Sequence, residues 1–296
     1  MSRSAATGFA SSPEARPELA AHAVTTALAP PDGAGPRLSL AMPDALDAAW
    51  LNIAQPRFGA LATGDEHHAV SAVWNHGKWQ VEGRCEAGLR GGQFDLAISR
   101  GMQAISGALE VTDVDGYELL LADAAPLHTL LSRLPVELRD ADNLPLGLLF
   151  AATIDSGTGL ERAVAEGRYT LVPILAVNAG AGTLTLGASL EPGTQIFWAL
   201  RHRLSAETEP RRGVAQIQES HATPPEFALL FSCIGRGPYF FGGTDHDLAV
   251  LNQHHPGLPV LGGYCGGEIA PLTGGNAILS YSAVAALAYP NVQSES

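Results

Sequence analysis

The chain has 296 residues, a formal net charge of -13, 46% hydrophobic residues, 16% charged residues and 33 glycines. This composition is typical of a compact globular protein with many tight turns, and it excludes a disordered or coiled-coil chain. The negative charge repels polyanions, so we expect neither nucleic acid nor an anionic membrane surface as a partner.

Three cysteines, Cys85, Cys233 and Cys265, are spread along the chain. They are too few and too scattered for a disulfide framework or a zinc site, and their odd number fits a reducing compartment. The N-terminus lacks the apolar core of a signal peptide, and no run of about 18 apolar residues could span a bilayer. We therefore predict a soluble cytoplasmic protein without bound metal or cofactor and without a membrane partner.

The first part of the chain divides into a leader and a β-rich lobe. Residues 1–37 are rich in Ala, Pro, Ser and Gly without an apolar period, which indicates a flexible leader. In the lobe, residues 38–125, apolar residues at helical spacing predict a helix over 43–54. Alternating apolar and polar residues then predict hairpins that turn at 75–77 and at 115–116.

The second lobe, residues 126–290, begins with a helix that leucine spacing predicts over 125–138. Three strand-like runs follow it, and QIFWALRH at 195–202 fits either a strand or a helix. A weak apolar pattern predicts a further helix over 205–221, and a tail of 291–296 closes the chain.

The last part of this lobe alternates strands, glycine turns and a helix. The strand FALLF leads into a glycine turn at 232–243 and the helix HDLAVLNQHH, and the strand LPVLGG leads into a second turn at 262–269. The segment AILSYSAVAALAY predicts one final strand. A helix between two strands predicts a βαβ unit with parallel strands, whose carboxyl ends open on the same edge of the sheet.

Polar and aromatic side chains follow both strands, so we expect the two turns to face one crevice. Glycines in these turns permit positive φ and a close approach of the backbone to a ligand. The residues that we predict to contact a ligand are Ser232, Cys233, Arg236, Gly237, Tyr239, Tyr264, Gly266, Gly267 and Glu268.

The motifs FSCIGRG and PVLGGYCGGEIAP resemble the C-terminal half of the FIST family, named for F-box and intracellular signal transduction proteins. The segment ISRGMQAISGALEVTDVDGYELLLADAAPLHTLL resembles the junction between the two parts of that family, and the resemblance covers roughly residues 94–289. It implies a mixed α/β fold of two lobes, sheets flanked by helices, with a shortened N-terminal part. It also implies a sensory module that binds small ligands such as amino acids and works with a signalling partner.

Each candidate side chain has a structural alternative. Cys233 is either a packed thiol or a thiolate nucleophile that Arg236 and the turn amides activate. Arg236 either holds an anionic ligand group or pairs with Glu268, and Glu268 either accepts an amino group or caps backbone amides. Tyr239 and Tyr264 either wall a pocket or belong to the core.

Two further clusters, at 65–68 and 245–247, contain metal-ligand residue types. Adjacent strand residues point to opposite faces, so neither offers three converging ligands and we predict surface turns at both. The stretch FGALATGDE also overlays VLGGYCGGE, which places Glu66 on Glu268. If the two halves are related copies, Glu66 faces Glu268 across a shared cleft.

These observations favour a non-catalytic module that binds a small ligand. Two alternatives stay open: an enzyme that uses Cys233 as its nucleophile, and an interaction scaffold whose cleft holds a partner's peptide. Glycine-rich edges and exposed strands also leave a homodimer open.

Overall fold

The computed structural model describes residues 18–24, 36–63, 72–75, 78–81, 83–90, 92–272 and 275–290. Within them the chain is a mixed α/β protein, as the sequence predicts, with 19 strands and six α-helices. No helix in these ranges is both long enough and apolar enough to cross a lipid bilayer. The helices are α1 (Ala48–Leu51), α2 (Pro126–Arg133), α3 (Leu160–Glu166), α4 (Arg203–Ser220), α5 (Pro238–Phe241) and α6 (His246–His254).

The strands, in chain order, are β1 (Glu18–Val24), β2 (Arg37–Ala41), β3 (Arg57–Leu61), β4 (Val73–Asn75), β5 (Lys78–Gln80), β6 (Arg84–Arg90), β7 (Gly92–Ser99), β8 (Met102–Ala104), β9 (Leu109–Asp115), β10 (Glu118–Ala122), β11 (Leu149–Ile154), β12 (Tyr169–Asn178), β13 (Thr183–Leu186), β14 (Gln195–Arg201), β15 (Phe227–Cys233), β16 (Val260–Cys265), β17 (Gly267–Leu272), β18 (Gly275–Leu279) and β19 (Ala283–Pro290).

Three larger sheets and the hairpin of β4 and β5 contain these strands. The six-stranded sheet has the order β1-β6-β2-β3-β17-β18, and the four-stranded sheet has the order β16-β15-β19-β7. In the seven-stranded sheet, β11-β12-β13-β10-β9-β14-β8, strand β14 also pairs with β11, so six strands close into a ring. Each larger sheet combines strands from both sides of residue 125, so the two halves of the chain are interleaved.

The four-stranded sheet lies between the six-stranded sheet and two helices. Along β15, Leu229 and Phe231 pack toward the six-stranded sheet, whereas Ala228 and Leu230 pack toward α4 and α6. Because successive strand residues point to opposite faces, the same alternation determines which face each residue at the end of the strand points to. Both faces are covered, which is why β15 is buried from Ala228 to Cys233.

Most predicted elements are present. The predicted hairpins form as β4 with β5 and β9 with β10, and Gly116 turns the second one with a φ of +59°. Residues 195–202 form a strand through Arg201, and the weakly predicted helix is α4. Strands β15 and β16 pair in parallel, as the βαβ prediction requires.

Three predicted elements are shorter than expected. The helix over 43–54 becomes a 3-10 turn followed by α1, because the Asp47 carboxylate caps a new helix by accepting from the Trp50 amide at 2.8 Å. Helix α2 ends at Arg133, since Pro135 cannot continue it. The final strand is split into β18 and β19 by Tyr281, a non-glycine residue with a φ of +56°.

Candidate functional site

A cleft lies along the parallel strands β15 and β16, from Val260 at the start of β16 to Ser232 and Tyr264 near the carboxyl ends of the two strands, beside the first turn of α6. Its volume is about 130 Å³. Its walls are apolar, with a few polar groups between them. The residues that line it are Leu230, Ser232, Asp245, Leu248, Val260, Gly262, Gly263 and Tyr264.

Glycine brings β16 close to β15 on the floor of this cleft. Gly262 pairs with Leu230 and has a φ of +159°, and a Cβ on it would overlap the Leu230 carbonyl oxygen. The parallel pair of β2 and β3 has the same geometry, with Gly59 at a φ of +149° against the Ser39 carbonyl oxygen. A side chain is therefore excluded at both positions.

Asp245 and Tyr264 form the polar side of the cleft. Asp245 is the N-cap of α6, and its carboxylate accepts a hydrogen bond from the Leu248 amide at 3.1 Å. The Tyr264 hydroxyl donates to the same carboxylate. Burial, this hydrogen bond and the charges of Asp245 and Asp247 raise the pKa of Tyr264, so its phenol stays protonated.

Behind Ser232 lies a buried ion pair. The Ser232 hydroxyl donates to Asp247 Oδ2 at 3.0 Å. The Arg236 guanidinium donates to both carboxylate oxygens of Asp247, with Nε 3.0 Å from Oδ2 and Nη2 3.0 Å from Oδ1. The predicted surface turn at 245–247 is therefore wrong for Asp247, which is 4% exposed. A buried carboxylate requires such a partner.

Arg236 itself does not line the cleft. Its Nη2 also donates to Ser99 Oγ at 2.9 Å and to the Ala206 carbonyl oxygen at 2.7 Å, and the residue is 1% exposed. Gly101 makes room for it, since a Cβ there would lie 2.6 Å from Arg236 Nη1. The structure thus pairs Arg236 with Asp247 rather than with Glu268, and no arginine is among the described residues that line the cleft.

Cys265 and Glu268 lie on the other face of the four-stranded sheet, toward the six-stranded sheet. In place of the predicted glycine turn at 262–269, the chain runs from β16 through a bend at Gly266 directly into β17, which belongs to the six-stranded sheet. Cys265 Sγ donates to Glu268 Oε1 at 3.2 Å, and the Ser282 amide donates to Glu268 Oε2 at 3.2 Å. The Ser282 hydroxyl donates to the same oxygen. Glu268 is completely buried.

Burial controls the ionisation of these groups. It raises the pKa of Glu268 to about 7, although the hydrogen bonds from Ser282 and Cys265 act in the opposite direction. Burial and then the charge of Glu268 raise the pKa of Cys233, against hydrogen bonds from backbone amides of Gly235 and Tyr281. The same two causes raise the pKa of Cys265. Both thiols are 5% exposed, so the arrangement matches packed, neutral thiols.

The remaining predicted contacts lie away from the cleft. Tyr239 is fully exposed on α5. Gly237 packs against the Tyr264 ring, since a Cβ added to Gly237 would lie 3.4 Å from that ring. Gly266 and Gly267 pack against the end of β3 and the residues that follow it. They belong to the junction of the two sheets and do not line the cleft.

Of the predicted residues, Ser232 and Tyr264 meet in the cleft, and sequence reasoning missed Asp245 and Leu248. A signal for Asp245 was present, since an aspartate directly before a helical apolar run is a preferred N-cap. That signal locates the start of the helix, but it does not say which strand the helix end faces.

The cluster at 65–68 lies outside the described residues, so the overlay of Glu66 on Glu268 stays a prediction. In the part of the chain that the structure describes, no group of three His, Cys, Asp or Glu side chains could hold a metal ion.

Comparison with known proteins finds a family model that matches part of the chain. Residues 126–271 match the model of the FIST C domain, whose family comprises sensory domains of signal transduction. The chain is 26% identical over 231 residues to the uncharacterized protein Rv0628c of Mycobacterium tuberculosis. The aligned region covers 77% of this chain and 60% of that protein. It is 28% identical over 194 residues to the uncharacterized protein Mb0898c of Mycobacterium bovis, and this alignment covers 64% of this chain and 49% of that protein. The chain thus spans about half to 60% of the length of these relatives.

Proposed function

Because residues 126–271 match the FIST C domain model, we propose that the chain is a sensory module that binds a small ligand in the cleft between β15, β16 and α6. The ligand would be a small metabolite, with amino acids among the candidates that the family resemblance suggests. A signalling partner would read the bound state. The three cysteines are free, which supports the cytoplasm as the place of action.

One observation carries this proposal: the cleft of about 130 Å³ runs along the parallel strands β15 and β16 and reaches their carboxyl ends, the edge at which α/β proteins usually bind ligands. Leu230, Leu248 and Val260 supply apolar walls. Ser232, Asp245 and Tyr264 supply the few polar groups that orient a ligand. Typical ligand pockets have roughly 300–1,000 Å³, so the ligand here is small.

A thermal-shift screen of the purified chain tests the proposal, with amino acids, nucleotides, small carboxylates and small amines as the panel. A ligand at about 100 times its Kd adds roughly 2.7 kcal/mol to the free energy of unfolding. For a chain of this length, that is a rise in Tm of about 4 °C.

Variants locate the site of any hit. Leu248→Trp fills the cleft and Tyr264→Ala removes its polar wall, so both abolish the shift. Tyr239→Ala is the matched control, because Tyr239 is fully exposed and lies outside the cleft. A shift that survives Leu248→Trp, or the absence of any hit from a folded protein, contradicts the proposal.

A second candidate function, a docking surface for another protein chain, is favoured by exposed apolar side chains on β16 and on the segment that follows β15. Ile234 is 62% exposed, Tyr239 fully exposed and Leu261 65% exposed. Large exposed apolar residues mark interaction sites when they cluster. The simplest case is a homodimer, and light scattering of the wild type and of Leu261→Ser tests it. A homodimer predicts twice the monomer mass for the wild type and the monomer mass for Leu261→Ser.

A further inference from the structure

The cleft presents a single sign of charge. Asp245 is the only carboxylate among the described residues that line it, and no Lys, Arg or His is among them. The whole chain carries a formal charge of -13. An anionic ligand would enter an unfavourable field here, whereas a cation is attracted.

The start of α6 does not reverse this preference. A helix N-terminus ordinarily favours an anion, because its first amides are unpaired and its dipole is positive there. In this protein the Asp245 carboxylate already occupies that position and accepts from the Leu248 amide. Asp247 adds a second acidic residue in the first turn. The helix end therefore has its anion in place.

The hydrogen-bonding groups of the cleft are also biased toward one kind of ligand. Ser232 donates its hydroxyl proton to Asp247 at 3.0 Å, and Tyr264 donates its hydroxyl proton to Asp245. Each hydroxyl has one proton, so both offer only oxygen lone pairs to a ligand. The Asp245 carboxylate has about four acceptor sites, and the Leu248 amide and the Tyr264 hydroxyl use two of them.

Three converging acceptors and a negative charge require a ligand that donates hydrogen bonds and carries positive charge. A primary ammonium group has three donors and no acceptor. We infer that the ligand of this cleft carries a primary ammonium group, bound by the Asp245 carboxylate and by the hydroxyl oxygens of Ser232 and Tyr264. This inference rests on the proposed ligand-binding function.

The rest of the ligand follows from the walls. Leu230, Leu248 and Val260 are apolar, so a short aliphatic chain fits beside the ammonium group. Arg236 is buried with Asp247, so a carboxylate on the ligand finds no guanidinium to hold it. The cleft therefore favours a small amine over an amino acid of equal size, and it disfavours a small acid.

Three probes with the same aliphatic chain separate these classes: butylammonium, butyrate and 1-butanol. Their Kd values would be measured with the full chain by protein-observed NMR titration at fixed pH and ionic strength. We expect butylammonium to bind at least about tenfold more tightly than the other two, since charge-assisted hydrogen bonds are roughly twice as strong as neutral ones. The affected resonances should include those of Leu248 and Tyr264.

Asp245→Asn tests the carboxylate, because asparagine keeps the N-cap and the side-chain volume but removes the charge. We expect it to weaken butylammonium binding by at least about tenfold. Asp47→Asn is the matched control. Asp47 caps α1 in the same way, since its carboxylate accepts from the Trp50 amide at 2.8 Å, and the substitution removes one charge away from the cleft. We expect it to leave the Kd within about twofold.

Several outcomes overturn the inference. Equal or tighter binding of butyrate or 1-butanol in the cleft does so, and so does a loss of affinity that is the same in Asp245→Asn and Asp47→Asn. The failure of the two proposals is distinguishable. If an acid from the screen binds and Leu248→Trp abolishes its binding, the ligand-binding function stands and the ammonium inference falls. If no probe and no compound of the panel binds, both fall.

Discussion

Arg236 and Asp247 form a bidentate ion pair that is almost fully shielded from solvent, with 1% and 3% of the two side chains exposed. It ties the turn after β15 to the first turn of α6, and it therefore holds the two sides of the cleft together. Ser232 donates a further hydrogen bond to Asp247, and Arg236 donates to Ser99 and to the Ala206 carbonyl oxygen.

Breaking this pair on one side should destabilise the protein strongly. Arg236→Ala leaves the Asp247 carboxylate buried without its cation, which costs about 3–5 kcal/mol of unfolding free energy. Urea denaturation measures this as a lower midpoint with an unchanged slope. Arg162→Ala is the control, because Arg162 is 65% exposed in its pair with Glu166 and such pairs contribute about 1 kcal/mol or less. Equal effects of the two substitutions would contradict a structural role for the buried pair.

Glu268 should make stability fall as pH rises. Its pKa is raised to about 7 in the folded protein, above the ordinary value of 4.5, so the folded state binds more protons than the unfolded state between these values. The stability that the neutral carboxyl contributes is complete below about pH 4.5 and is lost as pH rises through about 7. The difference between these two pKa values corresponds to about 3 kcal/mol of unfolding free energy.

The comparison of the wild type with Glu268→Gln isolates this effect, because glutamine stays neutral at every pH. Urea midpoints measured from about pH 5 to about pH 8 should show the wild type losing stability relative to the variant. Parallel pH profiles of the two proteins would show that Glu268 does not titrate in this range.

Cys233 and Cys265 should be unreactive in the folded protein. Both are buried and burial raises the pKa of each, so little thiolate forms at neutral pH. Iodoacetamide at about pH 6 to pH 7 should label neither until urea unfolds the chain, and mass spectrometry of the digest reads each site separately. Rapid alkylation of Cys233 in the native state would instead favour the alternative enzyme, which needs a thiolate there.

Two adjacent glycines of β16 should respond oppositely to alanine. A Cβ on Gly262 overlaps the Leu230 carbonyl oxygen, and its φ of +159° is unfavourable for alanine. A Cβ on Gly263 meets no atom within 4 Å. We expect Gly262→Ala to cost about 3 kcal/mol or more and Gly263→Ala to change stability by less than about 0.5 kcal/mol. Thermal unfolding followed by circular dichroism measures the stability of both variants. Similar losses of stability in the two would contradict this placement of β16 against β15.

Local sequence pattern was sufficient for much of the architecture. Alternation predicted the hairpin of β9 and β10, and the apolar run before the glycine turn predicted β15 and its parallel partner β16. Strand ends are encoded locally, by glycine, proline and the change of period, so a reader of the sequence can place Ser232 and Tyr264 at one sheet edge.

The pattern could not assign faces to residues that follow one another at that edge. Ser232 and Tyr264 point toward α6, whereas Cys265 and Glu268 lie on the side of the six-stranded sheet, because side chains alternate along a strand. A shift of one residue in register exchanges the two faces. The prediction that all of these residues share one crevice was therefore wrong, because the sequence pattern alone did not fix the register of the strands.

Partners of buried charges also depended on tertiary structure. The sequence suggested Glu268 as the acidic partner of Arg236. The long-range packing of α6 on the four-stranded sheet brought Asp247 to Arg236 instead, while β17 took Glu268 into the space between two sheets. Composition and local period decided which elements form and where they end. Burial, pairing and the sign of the charge in the cleft were decided when distant strands met, because desolvation and ion pairing depend on neighbours in space rather than in sequence.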